Sequence, residues 1–337
     1  MPRAHATPLT RRNFLSLDFG DRRGAGDHWI RVHRVAMACR FEVMLSSEDA
    51  GDMSAARAAL DKADDLEALL TVFRDTSATS DLNRRAARER VAVDRYLFSL
   101  LAHCAEIHAR TNGAFDVTST PLSRCWGFLR REGRVPDEDA IAEARRLVGM
   151  TQVVLDADRR SVRFAREGVE LNFGAIGKGF ALDRMSELLR AAGTRRALLS
   201  AGRSSVLAIG GRGRGWPIDV RPVLAGRTVG RLWIRDGAVG TSGAGEQFVL
   251  VDGRRYGHVI DPRTGRPADG ALGATVITRD AASADALSTA FFIGGPALAA
   301  RYCDAHPDTM AILVLAQPGE PTAAFGRYSG ATVEMLT

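Results

Sequence analysis

The sequence predicts an α+β fold with a largely antiparallel sheet and packed helices, and three observations carry that expectation. Two segments place apolar residues at helical spacing, and several short apolar runs lie between Gly-rich turns. The two kinds of element follow one another without a regular strand–helix–strand rhythm, which argues against a parallel sheet. A chain of 337 residues, 45% hydrophobic and 26% charged, can bury a real core, and no internal repeat or long linker divides it.

Residues 1–30 read as a basic, flexible leader and residues 31–337 as one domain. Seven Arg against three Asp within residues 1–34 supply four of the six net positive charges. The body is therefore nearly balanced, and no nucleic-acid surface is expected. Thr10-Arg11-Arg12-Asn13-Phe14-Leu15 resembles a twin-arginine export signal. Such a signal needs an apolar stretch after its arginines, and here Asp18, Gly20, Asp21, Arg22 and Arg23 interrupt it. A vestigial or chance leader on a cytoplasmic protein is therefore expected, with export through that leader as the alternative, and no run is long enough to span a membrane.

Phe41–Leu45 is strand-like. Met53, Ala56, Leu60, Ala63, Leu66 and Leu70 then mark an amphipathic helix between Asp52 and Leu70. Leu97, Leu100, Leu101, Cys104 and Ile107 mark a second, from about Asp94 to Thr111, which Asn112-Gly113 would stop. Val153–Leu155 and Ser161–Phe164 flank an Asp-Arg-Arg turn as two strands. A helix from Lys178 to Gly193 precedes strands Ala197–Ala201 and Ser204–Ile209, with Gly202 between them. Another helix starts near Ser283 and breaks at Gly294-Gly295-Pro296, and the strand Met310–Leu315 follows. The four cysteines, Cys39, Cys104, Cys125 and Cys303, form no CxxC pair, which excludes a CxxC-based zinc or redox site.

Four constellations can carry chemistry. Glu170–Asp183 runs a strand into a Gly-rich loop and then a helix whose first N–H groups, with Lys178, suit an anion; a ligand-free tight turn is the simpler use. Asp285 and Thr289, four apart, share a helix face as hard oxygen donors for magnesium, although a cap and a back-bonded hydroxyl explain them as well. In Tyr256–Pro267, His258 could act as a base beside the Asp261-Pro262-Arg263-Thr264-Gly265 turn, or be a structural histidine. Gly113–Thr118, with Trp126-Gly127-Phe128, could stack a planar ring or pack a core.

Taken together and in this order, the pieces resemble the ApbE family, the FAD:protein FMN transferases. Ala36–Phe41, Phe73–Ser77, Asp81-Leu82-Asn83, Ser200-Ala201-Gly202 and Thr241-Ser242-Gly243 add to the likeness, which spans roughly residues 33–320. The resemblance implies an ApbE-like, T-fold-like architecture. It places Met37, Phe73, Ala114, Phe115, Asp116, Asn172, Lys178 and Val259 at FAD, and the Ala175 carbonyl, Asp285 and Thr289 at Mg2+. His258 is the implied catalytic base. The implied reaction moves FMN from FAD to a Thr or Ser hydroxyl of an acceptor flavoprotein subunit of an electron-transfer complex, releasing AMP. The alternatives are an FAD pyrophosphatase and a non-catalytic FAD binder. Asn172 stands where many members carry Asp, Arg203 where a second Gly is common, and Cys39 where Thr is common. Asp269–Thr275 also resembles a flavin-acceptor motif, with Ser329–Thr332 a shorter echo, so self-modification at Thr275 or Thr332 stands against a plain loop leading into a strand.

Overall fold

The computed structural model describes residues 15–16, 29–46, 53–130, 132–211, 213–220, 230–243, 248–251, 254–268, 271–315, 317 and 321–335. Strands β1 (Leu15–Ser16), β2 (Trp29–Ala36) and β3 (Cys39–Ser46) lead to helices α1 (Met53–Leu70) and α2 (Ala78–Arg85). The short β4 (Val91–Ala92), α3 (Arg95–Arg110), α4 (Thr120–Cys125) and α5 (Glu138–Arg145) follow, then the hairpin β5 (Val153–Asp156) and β6 (Ser161–Phe164). Helix α6 (Gly177–Ala191) precedes β7 (Ala197–Ala201), β8 (Ser205–Ile209), β9 (Trp216–Val220), β10 (Gly230–Ile234) and β11 (Gly237–Gly243). Four short strands, β12 (Phe248–Val251), β13 (Arg254–Gly257), β14 (Ile260–Asp261) and β15 (Arg266–Pro267), come before β16 (Ala271–Thr278). Helix α7 (Ala281–Ala305) and strands β17 (Met310–Leu315), β18 (Thr322–Gly326) and β19 (Ala331–Met335) complete the order.

The fold is α+β. Its main sheet has eight strands in the order β18-β17-β16-β11-β8-β7-β3-β2, and every pairing in it is antiparallel. Side chains alternate across a strand, and here both faces are covered. Val43, Leu45, Leu199, Leu207, Val276 and Leu313 join the core under the helices. Their neighbours Met44, Leu198, Val206, Ile277 and Ile312 join a second core with Trp216, Ile218, Leu232 and Ile234 of the four-stranded sheet β1-β9-β10-β19. Burial on both faces is why β7 and β8 are buried at every residue and carry apolar side chains on successive positions instead of alternate ones. β1 pairs Leu15 with Val220 and Ser16 with Asp219, inside the segment expected as a leader; Arg11 and Arg12 lie outside the described residues.

The sequence-predicted helices have clear local causes. α1 buries Ala56, Leu60, Ala63, Leu66 and Leu70, and α3 buries Leu97, Leu100, Leu101, Cys104 and Ile107 behind an Asp94 cap on the Tyr96 N–H. α7 carries Gly295 at φ 63° with Pro296 next, a non-helical kink where the sequence predicts a break. The short α2, α4 and α5 were not expected from the sequence. Each is only six to eight residues long, too short for periodicity to declare itself.

Candidate functional site

Asn172 begins the loop that leads into α6. Its N–H donates to the Val117 carbonyl at 2.8 Å, and its Oδ1 accepts the Gly174 N–H at 2.8 Å, so the Gly113–Thr118 segment and the Gly-rich loop are joined. The residue before it is pinned from far away. The Asn83 amide donates to the Leu171 carbonyl at 3.0 Å and accepts the Leu171 N–H at 2.9 Å. Helix α6 then starts at Gly177 with no side-chain cap of its own. Its Gly179 N–H, one of the first-turn donors a helix leaves unpaired, donates at 2.7 Å to Asp285 Oδ2 on α7. Among the described residues no hydrogen bond ends on the Ala175 carbonyl oxygen.

Asp285 is buried, at 6% exposure. Its Oδ1 accepts from Ser205 Oγ at 2.6 Å. Burial pushes its carboxyl up to about 6, against the pull of Lys178, the Ser205 hydroxyl and the Gly179 N–H. Among the described residues no salt bridge ends on Asp285 directly. Lys178 Nζ donates instead to Ser204 Oγ at 2.5 Å, and Ser204 Oγ lies 3.3 Å from Ser205 Oγ. One turn on, Thr289 Oγ1 is 3.4 Å from the Asp285 carbonyl and 3.1 Å from Ser242 Oγ, which also meets Ser288 Oγ at 2.8 Å.

Two glycines allow this convergence. A Cβ on Gly179 would lie 2.0 Å from the Ala281 carbonyl oxygen, and one on Gly240 of β11 would lie 2.3 Å from the Ala284 backbone. Only glycine lets α6 and the sheet approach the start of α7 so closely. The other buried carboxylate in this corner, Asp183 on α6, accepts from the Ala281 N–H at 2.7 Å and the Ala282 N–H at 2.9 Å. Burial pushes its carboxyl up despite those two donors.

The donor set fits magnesium. Among the described residues no three His, Cys, Asp or Glu gather in a metal-binding cluster. What the loop before α6 and the N-terminal part of α7 provide is one desolvated carboxylate, one hydroxyl and one carbonyl on which, among the described residues, no hydrogen bond ends. These are hard oxygens, too few to cage an ion alone and suited to one that keeps water or phosphate ligands.

The remaining expected residues lie on other segments of the chain. Met37 and Ala38 form the two-residue turn between β2 and β3, both with left-handed backbone at φ 47° and 56°, a strained choice for non-glycine residues. The Gly202 N–H docks on that hairpin through the Arg40 carbonyl at 2.8 Å. Phe73 is 77% exposed, the one aromatic among the exposed large apolar side chains described. Ala114 and Phe115 are buried, so what they can offer a ligand is backbone. The Asp116 side chain is turned inward: Oδ1 accepts from the Thr118 N–H at 2.7 Å and Thr118 Oγ1 at 2.5 Å, and Oδ2 faces His108 Nδ1 at 3.1 Å. Burial opposes protonation of His108, but Asp116 outweighs it and the pKa rises. His258 is half-buried between β13 and β14, and the adjacent Val259 packs on the main core and accepts the Ala268 N–H.

Two alternatives left open by the sequence are decided. Trp126 is 1% exposed and donates its indole N–H to the Gly265 carbonyl at 2.9 Å, so it anchors the Asp261–Gly265 turn and is no stacking platform. Thr275 is buried in β16 opposite Thr241, on the sheet face that carries Val239 and Ile277, whereas Gly240 and Ser242 face α7. It cannot be modified by the site around Asp285; Asp269 and Gly270 of that motif lie outside the described residues. Sequence reasoning assigned no role to Ser204, Ser205, Asp183 or Asn83. Only the last two fell inside quoted motifs.

Residues 37–314 match the model of the ApbE family. An FAD:protein FMN transferase of Klebsiella pneumoniae is 34% identical over 230 residues, 67% of this chain and 71% of that protein. One of Treponema pallidum is 34% identical over 247 residues, 68% of each chain. In structure, the ApbE protein of Thermotoga maritima superposes with a TM-score of 0.79 at 29% identity, covering 88% of this chain and 97% of that one. The apo flavinyl transferase ApbE of Pseudomonas stutzeri gives a TM-score of 0.76 at 26% identity, covering 89% and 95%. Among the described residues no helix is long and apolar enough to cross a membrane.

Proposed function

The chain belongs to the ApbE family, and on that premise we propose that it is a magnesium-dependent enzyme that transfers FMN from FAD to a Thr or Ser hydroxyl of an acceptor flavoprotein. The observation that carries this reading is the buried Asp285 carboxylate holding the Gly179 N–H at the start of α6, with Lys178 linked to it through two serine hydroxyls. In the reaction the acceptor oxygen bonds to the FMN-side phosphorus of FAD, the phosphoanhydride bond to AMP breaks, and AMP leaves with its electron pair.

The residues divide the work. Lys178 and the first turn of α6 hold the pyrophosphate by charge and N–H groups. The exposed ring of Phe73 supplies a face for a flat ligand, while Met37, Val259 and the backbone of Ala114–Asp116 with Asn172 shape the FAD site. His258 takes the acceptor hydroxyl proton as the new bond forms. Asp285, Thr289 and the Ala175 carbonyl would hold Mg2+, which when bound neutralises charge building on the pyrophosphate oxygens. The acceptor is a subunit of an electron-transfer complex, met in the cytoplasm.

Mass spectrometry of an acceptor domain incubated with this protein, FAD and Mg2+ tests the reading, with Asp285→Ala alongside. An FMN adduct that disappears in the variant is expected. Free FMN and AMP without an adduct would identify a pyrophosphatase instead, and unchanged FAD across a panel of acceptor domains would reduce the protein to a binder.

A further inference from the structure

Half-buried Lys178 and buried Asp285 carry opposite charges in one corner, yet two serine hydroxyls separate them. Lys178 Nζ is a donor only, so Ser204 Oγ accepts at 2.5 Å. The Asp285 carboxylate is an acceptor only, so Ser205 Oγ donates at 2.6 Å. That leaves the Ser204 proton for the 3.3 Å contact to Ser205 Oγ. Every bond then runs the same way, from ammonium to carboxylate. Ser205 is fully buried, Ser204 is 9% exposed, and the Thr241 N–H fixes the Ser204 carbonyl at 2.8 Å. Hydrogen bonds aligned in series polarise one another and carry a charge effect across a dry interior.

We propose that Ser204 and Ser205 form a one-way hydrogen-bonded relay through which Lys178 compensates Asp285 when the site is empty, and which makes anion and divalent-cation binding depend on one another. The inference rests on the proposed FAD and Mg2+ sites. An anion that draws Nζ away weakens the donation to Ser204, which leaves Asp285 less compensated and a better cation ligand. By reciprocity, a cation on Asp285 competes with the Ser205 proton and releases Lys178 for the anion. Ser204 and Ser205 are positioning residues in this scheme: neither touches the reacting phosphorus.

The relay has a signature that structural damage lacks. Ser204→Ala removes the partner that holds Lys178 in the empty site. It should tighten metal-free FAD binding about threefold and shrink the enhancement of FAD affinity by Mg2+ by a similar factor. Ser204→Thr, which keeps the hydroxyl, should behave as wild type, and Ser205→Ala should also shrink the enhancement. Isothermal titration with FAD, with Mg2+ or with a chelator, reads all of these without turnover. Weaker metal-free binding in Ser204→Ala, or an undiminished Mg2+ enhancement in both alanine variants, overturns the relay while leaving the metal site intact. A wild-type protein that binds FAD with no response to Mg2+ overturns the metal site itself and the relay with it.

Discussion

Helices α6 and α7 start against one another, and each start is completed by a carboxylate from the other helix. Asp183 of α6 takes the Ala281 and Ala282 N–H groups of α7; Asp285 of α7 takes the Gly179 N–H of α6. The exchange looks symmetrical, but the two ends differ in what remains. At α7, Asp183 has a backbone donor on each oxygen, and the helix has a second cap in Asp280, which accepts the Ser283 N–H at 2.7 Å. That end is closed. At α6, Asp285 has one backbone donor and one hydroxyl, Lys178 lies two hydroxyls away, and among the described residues no hydrogen bond ends on the Ala175 carbonyl. Both carboxylates hold a protein donor on each oxygen; what sets Asp285 apart is a lysine linked to it through two hydroxyls, and a buried carboxylate with a charged group in reach is the one suited to chemistry.

The contrast can be broken most violently at Gly179. Gly179→Ala puts a methyl 2.0 Å from the Ala281 carbonyl oxygen, so the helices must part. We expect a loss of about 4 kcal/mol or more, seen as loss of soluble protein or a collapse of the thermal transition. Asp285→Ala should lower FMN transfer by about a hundredfold or more in a single-turnover assay while leaving a folded protein. Asp183→Ala should do the reverse. It strips two buried N–H groups of α7 and should cost about 2–3 kcal/mol in chemical denaturation, with transfer retained by the folded fraction.

The difference also has a pH signature. Because burial raises the Asp285 carboxyl to about 6, the folded protein keeps a proton there that the unfolded chain has released. Stability is therefore lost as pH rises from about 4 to about 6. Asp285→Asn removes that loss. In chelator its melting temperature should match wild type near pH 4 and exceed it by a few degrees at pH 7, a gain of at most about 3 kcal/mol. An advantage largest at low pH would contradict the buried-charge account. The smallest effect is expected at Asn83→Ala, about 1–2 kcal/mol, read as a lower midpoint in urea from the two lost bonds to Leu171.

Local chemistry made much of this legible in advance. The apolar spacing of α1 and α3, the Asn112-Gly113 stop, the kink at Gly295 and the Gly-rich entry to α6 are decided within a turn or two of chain, so a reader of the sequence can find them. Resemblance supplied the proposed roles of Asp285 and Thr289, since an isolated Asp-x-x-x-Thr on a helix says almost nothing, whereas Lys178 is legible as a charge beside the Gly-rich loop. What no local pattern holds is the identity of distant partners. Asn83 reaches Leu171 across 88 residues, Asp183 reaches Ala281 across 98, and Ser205 reaches Asp285 across 80. A hydroxyl or amide in a sequence is compatible with many partners, and only the folded sheet chooses one. The same holds for the face a strand residue shows. Thr275 matched a motif by its neighbours in sequence, but strand alternation turned it into the second core, away from α7. Trp126 offered a ring by composition and became an anchor by burial. The sequence by itself determined the longer elements and the kinds of group available; the tertiary structure alone decided which groups meet, because hydrogen bonding and burial act on neighbours in space.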